Sequence, residues 1–532
     1  WLGLGSGSTA AQTDRLGRLT FPATGKSEAA SHFVHGVLLL HSFEYDDARE
    51  QFLAAEQADP AFVMAYWGQA MSLNQSIWWR VDLDGARAAL RKLGPSTDAR
   101  LAKAPTDRER GYLEAVEALF GEGDKSARDR AYSERMGRLT RDFPDDDEAS
   151  LFYALSLLAA TEGVRDGSTY LRAAALAEKV FAKNPQHPGA AHYLIHCYDD
   201  PGHAQQGLAA ARAYSSIAPA AQHALHMPSH VFYALGMWDE AATLNEASAA
   251  AGDERLRAKQ LGVEERGFHA LLWLEYAYLQ QGRRADARRL VETMVSDNAK
   301  SGSPRTRLHL AAMRAAWIVD TNGASWLPPS PDLKGLNAAV TASDRFATGF
   351  TAVRTGDLAV AKQALDMMAQ PPSSHYASPH HPGAAPATMD EIMRAQANVM
   401  RLELEALVAA AEKRHEDAVT LADRAAAIED SVTFEYGPPV PVKPANELRG
   451  ELLLNLGRAA DAQSAFERVL ARQPRRALSV LGLARAAAAA GATGASKRAY
   501  KDLREIWHAS DADLPEHAEV FGGGPGRAGR YR

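Results

Sequence analysis

A pattern that recurs along the chain restricts its fold more than any other feature of the sequence. Several segments place a small residue before an alanine-centred amphipathic stretch that ends near Asp-Pro or Asn-Pro. The clearest copies are "FEYDDAREQFLAAEQADP" (43–60) and "GRAADAQSAFERVLARQP" (457–474), with intermediate copies at 236–252 and 282–298. Since one such unit cannot bury its apolar stripe alone, we expect neighbouring units to stack into one continuous core.

These segments resemble tetratricopeptide repeats, in which two antiparallel helices form a unit of about 34 residues. The composition agrees, because Ala, Leu, Arg and Glu dominate and β-branched residues are scarce. The sequence therefore predicts an all-α fold, a TPR-like helical solenoid in which antiparallel helix pairs form a right-handed superhelix. In such an array the first helix of each pair lines a concave groove and the second helix forms the outside.

The repeat pattern and the Pro-rich stretches predict four parts of the chain. Residues 1–28 read as a linker, and because the sequence begins at Trp1 without methionine, we expect a processed or truncated chain. Residues 29–325 hold the N-terminal and central repeats. Residues 326–520 hold the C-terminal repeats with Pro-rich loops, and residues 521–532 form a disordered tail.

Charge, hydropathy and cysteine content exclude several classes of function. The net charge of −7 over 532 residues provides no basic surface, so nucleic acid is not an expected partner. Apolar runs such as "LFYALSLLAA" are too short for a transmembrane segment. Cys197 is the only cysteine, which excludes an intramolecular disulfide and a cysteine-based zinc module.

Two short stretches, "HYLIH" (192–196) and "HALHMPSH" (223–230), concentrate histidines in phase with the repeat. His192 and His226 are 34 residues apart, and so are His196 and His230. Aligned with a standard repeat, these histidines occupy positions 5 and 9 of the first helix, and position 2 holds another histidine in two repeats. Positions 2, 5 and 9 share one helical face, which lines the groove. The predicted metal ligands are therefore His192, His196, His223, His226, His230 and His269.

An i, i+4 pair of histidines can chelate one ion, so the two pairs are the firmer candidates. His223 and His269 are candidates for a second metal or for contacts behind the ligands. A structural hydrogen-bond network, duplicated with the repeat, is the alternative interpretation. Asp199, at the end of its helix, could orient an imidazole from behind, but a solvated helix-end charge is the favoured interpretation. Lys443 could present a cation into the groove, but a solvated surface lysine is favoured.

Imidazole ligands indicate a transition metal, with copper favoured and iron or zinc possible. The leading hypothesis is a metal-dependent enzyme, a copper or iron oxidoreductase that acts on a small or aromatic substrate in the groove. A zinc-dependent hydrolase is one alternative, because zinc held by three histidines can activate water. The other is a non-enzymatic scaffold that binds a peptide or protein partner through the same groove.

At the same residues the chain resembles a family of bacterial tetratricopeptide-repeat proteins, distantly similar to tetratricopeptide repeat protein 38. The resemblance rests on "HGVLLLHSFEYDDAREQF", "HPGAAHYLIHCYD", "IAPAAQHALHMPSHVFYALGMWDEA" and "FEYGPPVPVKPANELRGELLL". It implies the repeat fold over nearly the whole chain and implies no activity. Because members of that family are often exported, it also implies a periplasmic or secreted location, with a cytoplasmic one as the alternative.

Overall fold

The structure, a computed structural model, describes residues 15–323, 326–369, 388–432 and 437–522. The first half of the predicted linker, the Pro-rich loop at 370–387 and nearly all of the predicted tail lie outside these residues. The chain divides into two compact units. The first consists of the described part of Trp1–Asp199 with Gln205–Val231, and the second of Asp200–Ala204 with the described part of Phe232–Arg532. The predicted division at 325/326 is a different one and stays a prediction.

The first unit consists of helices and one small two-stranded ribbon. The ribbon pairs β1 (Asn74–Gln75) with β2 (Arg80–Val81) in antiparallel register. The helices are α1 (Ser27–His41), α2 (Tyr45–Ala58), α3 (Val63–Met71), α4 (Leu83–Leu93), α5 (Thr97–Leu101), α6 (Asp107–Leu119), α7 (Lys125–Asp142), α8 (Asp147–Ala159), α9 (Gly167–Lys183), α10 (Pro188–Tyr198), α11 (Ala204–Ile217), α12 (Gln222–His226) and α13 (Pro228–Ala234). The first residue of α11 and the last three of α13 belong to the second unit.

The second unit continues the helical pattern to the end of the described chain. Its helices are α14 (Trp238–Lys259), α15 (Phe268–Gln280), α16 (Arg284–Ser301), α17 (Pro304–Asp320), α18 (Ala338–Thr355), α19 (Leu358–Ala369), α20 (Met389–Ala411), α21 (His415–Ser431), α22 (Ala445–Asn455), α23 (Ala459–Arg472), α24 (Ala477–Ala489), α25 (Thr493–Ile506) and α26 (His517–Phe521), with a 3₁₀ turn at Val263–Glu265. None of the described helices is long and apolar enough to cross a lipid bilayer.

Within each unit, helices that follow one another in sequence pack against each other. Examples are α1 with α2, α9 with α10, α22 with α23, and α24 with α25. Because their connections are only a few residues long, the members of each pair run antiparallel. The predicted all-α, tetratricopeptide-like arrangement of helix pairs is therefore confirmed.

The first and last clear repeats pack in the same way, with a phenylalanine ring between two glycines. Phe52 in α2 contacts the backbone of α1 at Gly36 and of α3 at Gly68, and a Cβ added at either glycine would come closer than 3.0 Å to its ring. Phe466 in α23 contacts Gly450 and Gly482 in the same way. In both repeats each glycine lies 16 residues from its phenylalanine. The missing side chains let three successive helices approach a fully buried ring.

We expect Gly482→Ala to destabilise the protein by about 1–3 kcal/mol, because the added methyl overlaps the buried Phe466 ring. Chemical denaturation of the full chain measures this change. Gly494→Ala is the matched control, since Gly494 lies on α25 where an added Cβ meets only the end of the Arg498 side chain at ordinary contact distance. The control should gain about 0.5–1 kcal/mol from helix propensity. Equal effects of the two changes would contradict the packing argument.

Candidate metal centre

Helix α10 carries the first histidine pair, and its start is set by local chemistry. His187 is the N-cap residue, and its Nδ1 accepts from the Ala190 backbone N–H at 3.4 Å. Pro188 follows in the first turn of the helix, where a backbone N–H has no partner within the helix and can be absent. The helix then presents His192 and His196 one turn apart, with ring centroids 4.9 Å apart. The predicted i, i+4 pair is therefore adjacent in space.

His223, from α12, joins this pair. The rings of His192 and His223 are 5.0 Å apart, and one ring nitrogen from each of the three histidines lies within 4.8 Å of the others. The Nε2 atoms of His192, His196 and His223 are buried and have no hydrogen-bond partner among the described residues. We refer to these three side chains as the histidine trio. Unpaired buried nitrogens are rare in native proteins, so three in one place require an explanation.

All three imidazoles of the trio are held in the neutral form. Burial lowers the pKa of His192 to about 3 and lowers the pKa values of His196 and His223 well below their usual range. The Nδ1 of His192 donates to the backbone carbonyl of His41 at 2.7 Å. Because a carbonyl can only accept, the proton of His192 is on Nδ1, and its Nε2 carries a lone pair. That is the state in which a histidine binds a metal.

Behind the trio lies a second buried group, His41, Glu148 and His187. The Glu148 carboxylate accepts from His41 Nε2 at 2.7 Å and from His187 Nε2 at 2.9 Å. Burial alone would raise the pKa of Glu148, but the two imidazoles lower it to about 2. His41 Nδ1 bonds to the Tyr193 hydroxyl at 2.9 Å, so each nitrogen of both rings has a partner. The ligand atoms of this group are close enough together to hold an ion. They already form hydrogen bonds with one another and with neighbouring groups, so we assign the group a structural role.

The second histidine stretch does not form one helix. Pro228 has no N–H to continue the ladder, so α12 and α13 are separate helices, although Met227 between them keeps right-handed helical dihedrals (φ −54°, ψ −38°). His226 and His230 still meet, with their Nε2 atoms 3.2 Å apart. His230 Nδ1 bonds to Asp199 Oδ2 at 3.0 Å, and Arg165 donates to Asp199 Oδ1 at 2.7 Å. Within this stretch, His223 thus belongs to the trio, whereas His230 is held by Asp199.

The structure corrects two interpretations of charged residues. Asp199 is only 8% exposed and holds His230 and Arg165, so the interpretation as a solvated charge is wrong. Its carboxylate also lies within 4.8 Å of ring nitrogens of His196 and His230. Lys443 is 2% exposed and bonds to Glu447 and Glu451, so it is not a solvated lysine.

Five of the six predicted ligands belong to the first unit, and the sixth, His269, belongs to the second. His192, His196 and His223 form the trio, although His223 was expected to serve a second metal or a supporting role. His226 and His230 lie together beside Asp199 in the same unit. His269 belongs to the second unit, at the start of α15, where its ring is 5.5 Å from that of Trp273. Its role as a ligand stays a prediction.

Sequence reasoning missed the residues that surround the trio. Phe43 has its ring centroid 4.3 Å from His192, 5.4 Å from His223 and 5.9 Å from His196. Its φ is +58°, a left-handed conformation that a bulky side chain rarely adopts. Glu148 and Arg165 were missed because they come from helices and loops far away in sequence. A signal for His187 was present, since a histidine directly before proline is suited to an N-cap position.

The second unit contains a buried network of ionised side chains. Arg476 is fully buried and donates to Glu447, to Asp320 and to the Tyr276 hydroxyl. Glu403 is also fully buried, but neither of its carboxyl oxygens has a hydrogen-bond partner among the described residues. Burial, with smaller contributions from nearby carboxylates, raises the pKa of Glu403 well above its usual value. Glu403 is therefore a neutral carboxylic acid near pH 7.

Comparisons with known proteins give likeness of fold only. No family model and no curated protein matches the sequence. Among solved structures, the chain is similar to the APC/C hetero-tetramer Cut9–Hcn1 (11% identity, 93% of this chain and 75% of that chain, TM-score 0.33). It is also similar to yeast Tom70 (10%, 93% and 92%, 0.31) and to a human IFIT1 dimer with m7Gppp-AAAA (12%, 94% and 93%, 0.35). Likeness at this level transfers no function, and the fold assignment rests on the helix pairs themselves. The narrower resemblance to a bacterial family stays a prediction.

We expect Glu403→Gln to make the stability of the protein less dependent on pH. A buried carboxyl with a raised pKa stabilises the fold fully below its unfolded value of 4.5, and this contribution is lost as the pH rises towards the folded value. The wild-type melting temperature should therefore fall more than that of Glu403→Gln between about pH 5 and about pH 8. Glu405→Gln is the matched control on the same helix, because Glu405 is partly exposed and paired with Arg401. Identical pH profiles for wild type and Glu403→Gln would contradict the assignment of a neutral carboxyl.

Proposed function

We propose that this protein is a tetratricopeptide-type scaffold that binds one transition-metal ion through His192, His196 and His223. The observation that supports the metal is the set of three buried Nε2 atoms without partners. Leaving a buried polar nitrogen unpaired costs about 1–3 kcal/mol. One ion bound by all three lone pairs would remove that cost at each nitrogen, and no other described group of the first unit has such free donors.

The donor set suits the proposed ion. Neutral imidazoles bind zinc, copper, iron and nickel, whereas calcium and magnesium require oxygen ligands. The donor atoms lie within 4.8 Å of one another, close enough for small ring rotations to direct all three at one ion. The bond from His192 Nδ1 to the His41 carbonyl would hold one ligand in position, as such outer contacts do in metal sites.

The scaffold part of the proposal is supported by the helix pairs. Stacked pairs of this kind typically present an extended surface to a peptide or protein partner, and that role needs no metal. A copper or iron oxidoreductase, expected from the sequence, and a zinc hydrolase both depend on the trio in addition. A bound metal would supply electron transfer in the first case and an activated water in the second. We therefore treat metal binding as the property to be tested first.

We expect the untagged protein, after incubation with copper or zinc and removal of unbound metal, to retain about one ion per chain by elemental analysis. The double variant His192→Ala/His196→Ala should retain less than about a tenth of that amount, because two of the three ligands are gone. His508→Ala is the control, since that histidine is 53% exposed and distant in sequence. Circular dichroism checks that both variants keep their helices.

Equal metal retention by the wild type and the double variant would show that the ion is bound elsewhere. If the wild type takes up no metal at all, the metal proposal fails and the scaffold alone remains. Where an ion is retained, oxygen consumption with small aromatic substrates tests the oxidoreductase, and ester hydrolysis tests the zinc enzyme.

A further inference from the structure

The negative charge that side chains supply around the trio affects which metal ions it can bind, because a divalent ion needs more compensation than a monovalent one. The three ligand atoms of the trio all belong to imidazoles, which carry no negative charge. Divalent zinc and iron sites in proteins often recruit a carboxylate or a thiolate, which offsets part of the charge of the ion. The Cys197 side chain follows His196 in sequence but does not belong to this group of ligand atoms.

The carboxylates closest to the trio are engaged elsewhere. Asp199 lies beside His196, but its two oxygens accept from Arg165 at 2.7 Å and from His230 at 3.0 Å. The guanidinium therefore balances the charge of that carboxylate. Glu44 accepts from the backbone N–H of His223 at 3.0 Å, which is a contact with the main chain of that ligand. No free anion among the described residues is left to compensate an ion at the trio.

Aromatic rings take the place that water or a carboxylate would fill. Phe43 contacts all three histidines and is 5% exposed. The ring of Tyr214 stacks on His192 with the ring centroids 5.1 Å apart, and the ring of Trp78 lies edge-to-face with His223, with centroids 5.4 Å apart. The left-handed backbone at Phe43 is a conformation that a non-glycine residue keeps only where its surroundings fix it. These rings, together with carboxylates that are already paired, form the immediate surroundings of the trio.

The energy lost when an ion leaves water rises with the square of its charge, so a divalent ion loses about four times as much as a monovalent one of similar size. We propose that the histidine trio selects monovalent copper, Cu(I), over divalent zinc and iron. The inference rests on the proposed metal binding and adds the charge of the ion. Among the metals that imidazole binds, copper is the one with a stable monovalent form.

The test is a competition measured on the full wild-type chain under anaerobic conditions. Cu(I) is titrated from a bicinchoninate complex, whose absorbance reports transfer to the protein, and Zn(II) is titrated separately from a chromophoric zinc chelator. We expect one Cu(I) per chain and an affinity at least about a hundredfold greater than that for Zn(II). Since this measurement uses the unaltered protein, it does not depend on the folding of a variant.

A pair of variants at one position then isolates the charge. Phe43→Asp places a carboxylate next to the trio, and Phe43→Asn places a neutral side chain of nearly the same size there. Asp and Asn both tolerate the positive φ of this residue. We expect the preference for Cu(I) over Zn(II) to be at least about tenfold smaller in Phe43→Asp than in Phe43→Asn.

The possible outcomes separate the two proposals. Binding of Zn(II) at least as tight as that of Cu(I) would overturn the inference while leaving metal binding intact. Failure to bind either ion would overturn the proposed metal binding itself. Equal metal preference in Phe43→Asp and Phe43→Asn would show that charge does not determine selection at this site, and would also count against the inference.

Discussion

The buried carboxylate of Glu148 is the interaction on which the geometry of the candidate site depends. It lies near the start of α8 and accepts from His41 at the end of α1 and from His187 at the start of α10. Three helices that are distant in sequence are thus tied to one anion. The carbonyl of the same His41 then accepts from His192 and turns the free nitrogen of that ring towards its neighbours. The Glu148 contacts therefore help to orient one ligand of the trio, His192.

Both units contain buried polar groups without partners among the described residues, and two cases differ in chemistry. The trio in the first unit offers imidazole nitrogens, which can only be satisfied by a donor or a metal. Glu403 in the second unit offers a carboxyl group, whose burial favours protonation. Neutral imidazoles that converge from two helices point to a ligand. A buried carboxyl that simply stays protonated does not, which is why the proposed function rests on the first unit.

Particular residues show how far the sequence could lead towards this site. The 34-residue spacing correctly predicted that His192 and His196 would be adjacent to a histidine of the next repeat. It did not indicate that His223, rather than His226, would lie with that pair, because positions along one helix do not show how two helices pack together. Asp199 was misjudged for a similar reason, since a helix-end charge is solvated unless a residue such as Arg165 covers it.

By itself the sequence determined the local structure: which segments are helical, where they pair, and which histidines are one turn apart. These properties depend on hydrogen bonds and apolar spacing within about 34 residues. Only the tertiary structure decided that Phe43 lies against three histidines, that Arg165 neutralises Asp199, and that Glu148 joins α1, α8 and α10. The charge and solvation of a site depend on contributions from residues that are distant in sequence. A local sequence pattern does not contain this information, because those residues come together only when the helices pack.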